Sequence, residues 1–321
     1  MTESFSLDFP YAYGKPVDTA RFRSENEDFI VDEHLDVAFS QEGEHLYLQI
    51  KKKGENTHWV AEQLANYFQV KANDVGYSGK KDRHAVTSQW FSVYLPGIRE
   101  IPSLTDIEAQ VEAEVTLLDA AIHRQKLRLG THQSNAFKIR LRDINASDDL
   151  EKRLQVISEG GVPNYFGEQR FGRDMNNLQL ADEWFSGQTE VRNRNKRGMV
   201  LSASRSYLFN LVVARRVSLG NWNQLIDGDV AENGYPSSPM WGRGRSQTSG
   251  VALQVEDEVL EPFSQWRDVL EHKGLKQERR SIVTMPEGLT WQFSDNNLEL
   301  EFSLPSGQFA TSVLREIAIL V

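Results

Sequence analysis

The end of this chain returns to the pattern of its beginning, and that return limits what it can fold into. Early on, Leu46, Leu48 and Ile50 alternate with other residues, as do Phe91, Val93 and Leu95 after Gln89, and later Phe137, Ile139 and Leu141. Such alternation predicts strands with one face buried. The tail repeats it. Leu289, Trp291 and Phe293 alternate, Asp295-Asn296-Asn297 supplies a turn, and Leu298, Leu300, Phe302 and Leu304 alternate again, as a hairpin would. Between these parts, from Val162 to about Val283, the patterning is helical. The segment Ser204–Gly220 predicts a helix with Leu208, Leu211 and Val212 inward. The order sheet, helices, sheet predicts one sheet interrupted by an inserted domain.

Smaller signals place other elements. Thr57 is a candidate cap for a helix running to about Val70. Ser147 is a candidate cap for a helix carrying Leu150, Leu154 and Ile157, which Gly160 and Gly161 would end. Gly234–Gly250, GYPSSPMWGRGRSQTSG, reads as a turn-rich loop, and the segment from Phe309 as a closing helix.

At 321 residues, with 39% apolar residues, there is material for two domains with buried cores. Cysteine is absent, which removes disulfides and thiolate metal sites and favours a reducing compartment. The histidines show no HxxxH-like spacing, so no metal is expected. The N-terminal MTESFSLDFPYAYGKP lacks a basic start before an apolar run, so no secretory signal is expected. No apolar run approaches the length of a membrane span. A soluble, cytoplasmic protein is the expectation.

The net charge is −10, from 36 basic and 46 acidic residues, which taken whole argues against nucleic acid as a partner. The charge is segregated, however, and screening makes distant charges nearly independent. Basic clusters fall at Lys51–Lys53, Lys80–His84, His123–Arg128 and Arg192–Arg197, with Arg243 and Arg245 later, while acid gathers in VEDEVLEP from Val255. Basic stripes on an acidic body suit an RNA-facing surface, although each cluster alone is more often a solubilising face.

The most chemically specific stretch is GKKDRHAVTSQ, Gly79–Gln89. Asp82 sits there among Lys80, Lys81, Arg83 and His84. The cations favour a negative charge at Asp82 and can also hold a phosphate backbone. An anionic nucleophile in a phosphate-binding loop suits chemistry at the sugar–base bond of RNA. The alternative is a solvated turn between strands. Other motif matches fail. GYSGKK from Gly76 has the wrong spacing for a P-loop, and GYSG lacks the last glycine of a nucleophile elbow. GYSG does fit the GxxG of a KH RNA-binding loop.

Asn135 and Phe137, two apart on one strand, point to the same face. An amide can read a pyrimidine edge, and a ring can stack on the base for roughly 1–3 kcal/mol. By themselves, a turn asparagine and a core phenylalanine are the simpler explanation of the pair. Phe29 and Phe309 are most simply core residues, with partial exposure also open to them. GGVPNYFGEQRFGR, Gly160–Arg173, is either a packed entry to the helical part or a loop that faces RNA.

Together these segments resemble the TruD family of pseudouridine synthases. GKKDRHAVTSQW is similar to that family's catalytic loop, and EDFIVDE, RLGTHQSNAFKIRLR, GGVPNYFGEQRFG, RNRNKR, LSASRSYLFN and PSGQFATSVLRE match the family in order, spanning residues 20 to 316. The resemblance implies an α+β fold: a catalytic domain at 1–160 plus 284–321 with a mixed, mainly antiparallel sheet, and an α/β TRUD insertion domain at 161–283, together V-shaped around tRNA. It implies that Asp82 is the nucleophile and that Phe29, Asn135, Phe137 and Phe309 contact substrate. Lys80, Lys81 and Arg83 would bind phosphates. It implies no cofactor, no metal and no membrane, with tRNA as partner and a monomer in solution. Two departures stand out. The chain ends at Val321, sooner than expected, and the insertion is short around Gly234–Gly250. Isomerisation gains and loses no atom, so it needs no co-reactant. The alternatives are a non-catalytic RNA-binding protein using the GYSG loop and aromatics, and a purely structural interaction domain.

Overall fold

The computed structural model describes residues 5–111 and 113–321. The first four residues of the N-terminal segment lie outside them. The strands are β1 (Thr19–Phe22), β2 (Phe29–His34), β3 (His45–Lys53), β4 (Val75–Tyr77), β5 (Val86–Tyr94), β6 (Val115–His123), β7 (Ser134–Arg142), β8 (Val162–Pro163), β9 (Ala231–Glu232), β10 (Tyr235–Met240), β11 (Glu278–Ser281), β12 (Val283–Thr284), β13 (Glu287–Ser294), β14 (Asn297–Pro305) and β15 (Ile319–Leu320). The α-helices are α1 (Thr57–Tyr67), α2 (Leu104–Gln110), α3 (Asp148–Gly160), α4 (Asn176–Phe185), α5 (Arg194–Ser218), α6 (Gly250–Leu260), α7 (Ser264–His272) and α8 (Ala310–Ile317).

The chain divides into two compact units. A sheet unit takes Asp18–Asp148, Pro286–Gln308 and Ile319–Val321. A helical unit takes the described residues up to Val17, Asp149–Met285 and Phe309–Ala318. The helical unit therefore includes both α3 and α8, which the sequence reading grouped with the sheet.

In the sheet unit the strand order is β13-β14-β7-β2-β5-β3-β6, with β1 and β15 paired beside β7 and β4 paired to β5. The β2–β5 and β1–β15 pairs are parallel and the others antiparallel. The fold is α+β. The late strand β14 lies along the whole of β7, pairing Leu300 with Ile139 and Phe302 with Phe137. This is the interrupted sheet that the repeated alternation predicted. Alternation also decided which side chains went inward: Leu46, Leu48 and Ile50 of β3, and Leu298, Leu300 and Leu304 of β14, are buried. The strand β5 is buried along nearly its full length on both faces, as befits a central strand.

In the helical unit α5 is the organising element. It buries Val200, Ala203, Leu208, Phe209, Val212 and Val213. The rings of Phe5, Phe171, Phe263 and Trp266 surround Tyr207 at centroid distances of 5.4, 6.1, 5.9 and 6.4 Å. The helix begins earlier than its apolar pattern suggested and includes most of RNRNKR. Asn193 caps it by accepting a hydrogen bond from Lys196 N at 3.0 Å. Part of Gly234–Gly250 is the strand β10 rather than loop. Its prolines and serines argue against a strand locally, but pairing with β11 and β9 overrides that preference.

The cap of α1 also differs from expectation. Asn56 accepts from His58 N at 2.9 Å, so Thr57 is the first helical residue and its hydroxyl is left for other partners.

Candidate active site

The loop between β4 and β5 carries Asp82, and three buried side chains hold its backbone. Gln89 on β5 donates from Nε2 to the Gly79 carbonyl at 3.0 Å. Thr57 Oγ1 accepts from Lys81 N at 2.9 Å and donates to Gln89 Oε1 at 2.9 Å. Lys52 on β3 donates from Nζ to the Asp82 carbonyl at 2.8 Å. A loop fixed at Gly79, Lys81 and Asp82 has little backbone freedom left, so the position of the Asp82 Cα is set before any ligand arrives.

The Asp82 side chain itself is 43% exposed, and its Oδ2 lies 3.4 Å from Arg23 Nη2. Arg23 sits just after β1 with φ of 62° and lays its guanidinium over the rings of Phe29, at 4.4 Å, and Phe22, at 4.8 Å. The ring faces hold the cation by their quadrupole, which leaves its edge free to meet the carboxylate. Phe29 is 3% exposed, and its ring stacks with Phe137 at 6.0 Å, which in turn stacks with Phe302 at 5.4 Å. These rings support Arg23 from below. Behind Phe29, buried Asp28 receives the guanidinium of Arg142 on both oxygens, at 2.8 to 3.0 Å. Burial pushes the Asp28 carboxyl up, but Arg142 and the backbone N–H of Glu25 more than reverse this and hold it below the usual range.

A second group lies next to the loop on the facing strands. Glu33 on β2 and Asn135 on β7 are register partners. Glu33 is buried and accepts from Lys81 Nζ at 2.7 Å, from Ser78 Oγ at 2.5 Å and from Trp90 N at 3.2 Å. His132 Nε2 lies 3.3 Å from Asn135 Nδ2 and 3.1 Å from Ser306 Oγ. Burial, and then the charge of Lys81, lower the His132 pKa, which favours a neutral ring that accepts from both neighbours. The Asn135 amide then presents Oδ1 on its other side, buried and without a protein partner.

The sheet unit thus gathers the candidate residues Asp82, Phe29, Asn135 and Phe137. The loop cations are divided. Lys80 and Arg83 are exposed, and Arg83 Nε reaches the Gly54 carbonyl at 3.2 Å. Lys81, expected to meet a phosphate, has its ammonium buried against Glu33, because an internal carboxylate needs a partner more than a solvated phosphate does. GYSG is no open loop. Gly76 and Tyr77 belong to β4, and a Cβ on Gly76 would lie 2.3 Å from the Leu127 carbonyl oxygen. The glycine is explained by close packing, which removes the feature on which a KH-like reading depended.

The family model for tRNA pseudouridine synthase D matches residues 9–185 and 231–317. The chain belongs to the TruD family. Its members are pseudouridine synthases, a class of isomerases. A TruD relative from Cellvibrio japonicus, named tRNA pseudouridine synthase D, is 48% identical over 98% of this chain and 94% of its own length. One of the same name from Hydrogenovibrio crunogenus is 41% identical over 96% and 95%. A crystal structure of a TruD-type protein from Methanosarcina mazei superimposes with a TM-score of 0.70 at 21% identity, covering 98% of this chain and 96% of that one, which supports the shared TruD fold.

Phe309, expected among the TruD site residues, belongs to the helical unit. Its ring centroid is 5.9 Å from that of Phe166, with the Arg170 guanidinium 6.0 Å from it. Residues that sequence reasoning missed are Arg23, Glu33, Lys52, Thr57 as a loop brace, and His132. Two lay inside quoted TruD motifs, Glu33 in EDFIVDE and His132 in RLGTHQSNAF. Lys52 carried its own signal, since it shares the inward face of β3 with Leu46, Leu48 and Ile50. Among the described residues, no helix is long and apolar enough to cross a membrane.

Proposed function

We propose that this chain converts uridine to pseudouridine in tRNA, at position 13, with Asp82 acting at the ribose. The observation that carries the reading is the half-exposed Asp82 carboxylate beside Arg23, on a loop whose backbone is pinned from three sides. The target nucleotide leaves its stack to reach this group. The bond from uracil N1 to ribose C1′ breaks. Asp82 either bonds to C1′ directly or removes a C2′ proton to leave a glycal. The freed uracil turns and C5 joins C1′ as the Asp82–C1′ bond breaks, or as Asp82 returns its proton to C2′ of the glycal; C5 then loses its proton to solvent and N1 gains one. Every atom of the nucleotide except that exchanged proton is retained, so the balance calls for no cofactor.

Arg23 offsets the charge of Asp82 in the resting site and is placed to follow its change during reaction. Asn135 Oδ1 is buried and has no protein partner, so a side-chain shift that opens it to the site would let it accept from an imino N–H of uracil. Phe29 and Phe137 act as the floor under Arg23, while Phe309 and Arg170, in the helical unit, form a ring and cation suited to stacking on RNA. Lys80 and Arg83 contact phosphates. The test is tritium release from tRNA labelled at uracil C5. The wild-type protein should release it, and Asp82→Asn should bind tRNA yet release none. Turnover by that variant would refute the assignment, and a wild-type protein that binds without release would be a non-catalytic RNA binder.

A further inference from the structure

Lys52 is one of the most deeply buried side chains in the molecule, at 1% exposure, yet it is a lysine. It lies on the inward face of β3, next to Ile50, opposite Thr87 of β5 and Val115 of β6. No carboxylate forms an ion pair with it among the described residues. Its Nζ instead donates to two backbone carbonyls, Glu55 and Asp82, both at 2.8 Å. A buried ammonium without a contacting counterion is costly, and methionine would fill the same space without that cost. The charge therefore has a use that packing does not explain.

We propose that the Lys52 ammonium is a positioning residue for the reaction, fixing the backbone of Asp82 and placing a positive charge behind its carboxylate. The inference rests on the reading of Asp82 as the acting group. Charge-assisted bonds to a carbonyl are shorter and stronger than neutral ones, so the protonated form holds the loop better than the amine would. Three charged neighbours face the group: Asp82 and Glu55 favour its charge, and Lys81 opposes it. Burial outweighs these and lowers the pKa to about 8, so the charge is lost within an accessible pH range. The carboxylate would then face a neutral amine, and the loop would be held by weaker bonds.

The experiment measures single-turnover tritium release and tRNA affinity from pH 6.5 to 9.5, for the wild type, Lys52→Gln and Asp82→Asn. The wild-type rate should fall on the basic side with an apparent pKa near 8. Lys52→Gln should lose that basic limb and react at least about tenfold more slowly at pH 7, with tRNA affinity changed less than about threefold, a split that places the effect in the chemical step. A rate within threefold of the wild type overturns the proposal, as does a loss of affinity in step with the rate. If Lys52→Gln does not fold, the wild-type profile decides alone, and a rate that stays level from pH 7 to 9 overturns it. Activity in Asp82→Asn would sink the functional reading itself. An inactive Asp82→Asn beside a fully active Lys52→Gln would sink only the role of Lys52.

Discussion

The hydroxyl of Thr57 donates to the carboxamide of Gln89 across 2.9 Å, tying the first turn of α1 to the middle of β5. The same hydroxyl accepts from Lys81 N, so one oxygen joins a helix, a strand and the loop that carries Asp82. Thr57→Val keeps the shape and removes both bonds. It should destabilise the fold by about 1–3 kcal/mol, because Lys81 N and Gln89 Oε1 lose partners in a buried setting. It should also slow turnover more than it weakens tRNA binding. Urea unfolding and single-turnover rates check the two parts.

Lys81 and its neighbours should separate cleanly in salt titrations. Lys80 and Arg83 are exposed, so removing either should flatten the plot of log affinity against log salt by about 0.7–0.9 for each phosphate no longer neutralised. Lys81→Met should leave that slope unchanged. It should instead destabilise the protein by about 3–5 kcal/mol, since Glu33 would be buried without its cation. Filter binding at several salt concentrations and chemical denaturation distinguish the cases.

The Asp28–Arg142 pair makes stability depend on acid. The folded carboxyl of Asp28 is held below its ordinary value, so its contribution is complete above the usual carboxylate pKa of about 3.9 and is lost as pH falls through the lower folded value. Arg142→Met should cost about 2–3 kcal/mol at pH 7, less than for a wholly buried pair because Arg142 keeps some solvent. The loss should shrink towards pH 3. Urea midpoints at pH 7, 4 and 3 measure it.

Gly76→Ala tests whether packing or RNA binding explains the GYSG segment. The added methyl would meet the Leu127 carbonyl at 2.3 Å and Ser92 Oγ at 2.8 Å, so backbone must move. A loss of about 1–3 kcal/mol in stability is expected. A variant with normal stability and weakened RNA binding would restore the KH-like reading.

Much of the fold was legible because it is written in period-two patterning. β3, β7 and β14 could be read from alternating apolar residues, and the resemblance of β14 to the early strands pointed to one interrupted sheet. The basic run Lys51–Lys53 looks like surface only while charge is considered alone, since strict alternation already puts Lys52 inward with Ile50. β10 was not legible. Its prolines and serines form a strand only because β11, distant in sequence, offers backbone partners. The start of α5 was hidden in a basic run whose cap, Asn193, lies outside the apolar pattern.

At the candidate site the division is similar. The string around Asp82 set a carboxylate among cations, because charge and residue type are local properties. Which cation meets which anion was decided by tertiary structure. Arg23 reaches Asp82 from beyond the loop, and Lys81 turns inward to Glu33. Ion pairing depends on distance and on the loss of water, and neither is encoded by nearness along the chain. The order of residues thus determined the strands, the family and the chemical character of the loop. Only folding, by choosing which groups lose solvent together, determined which charges remain available for RNA.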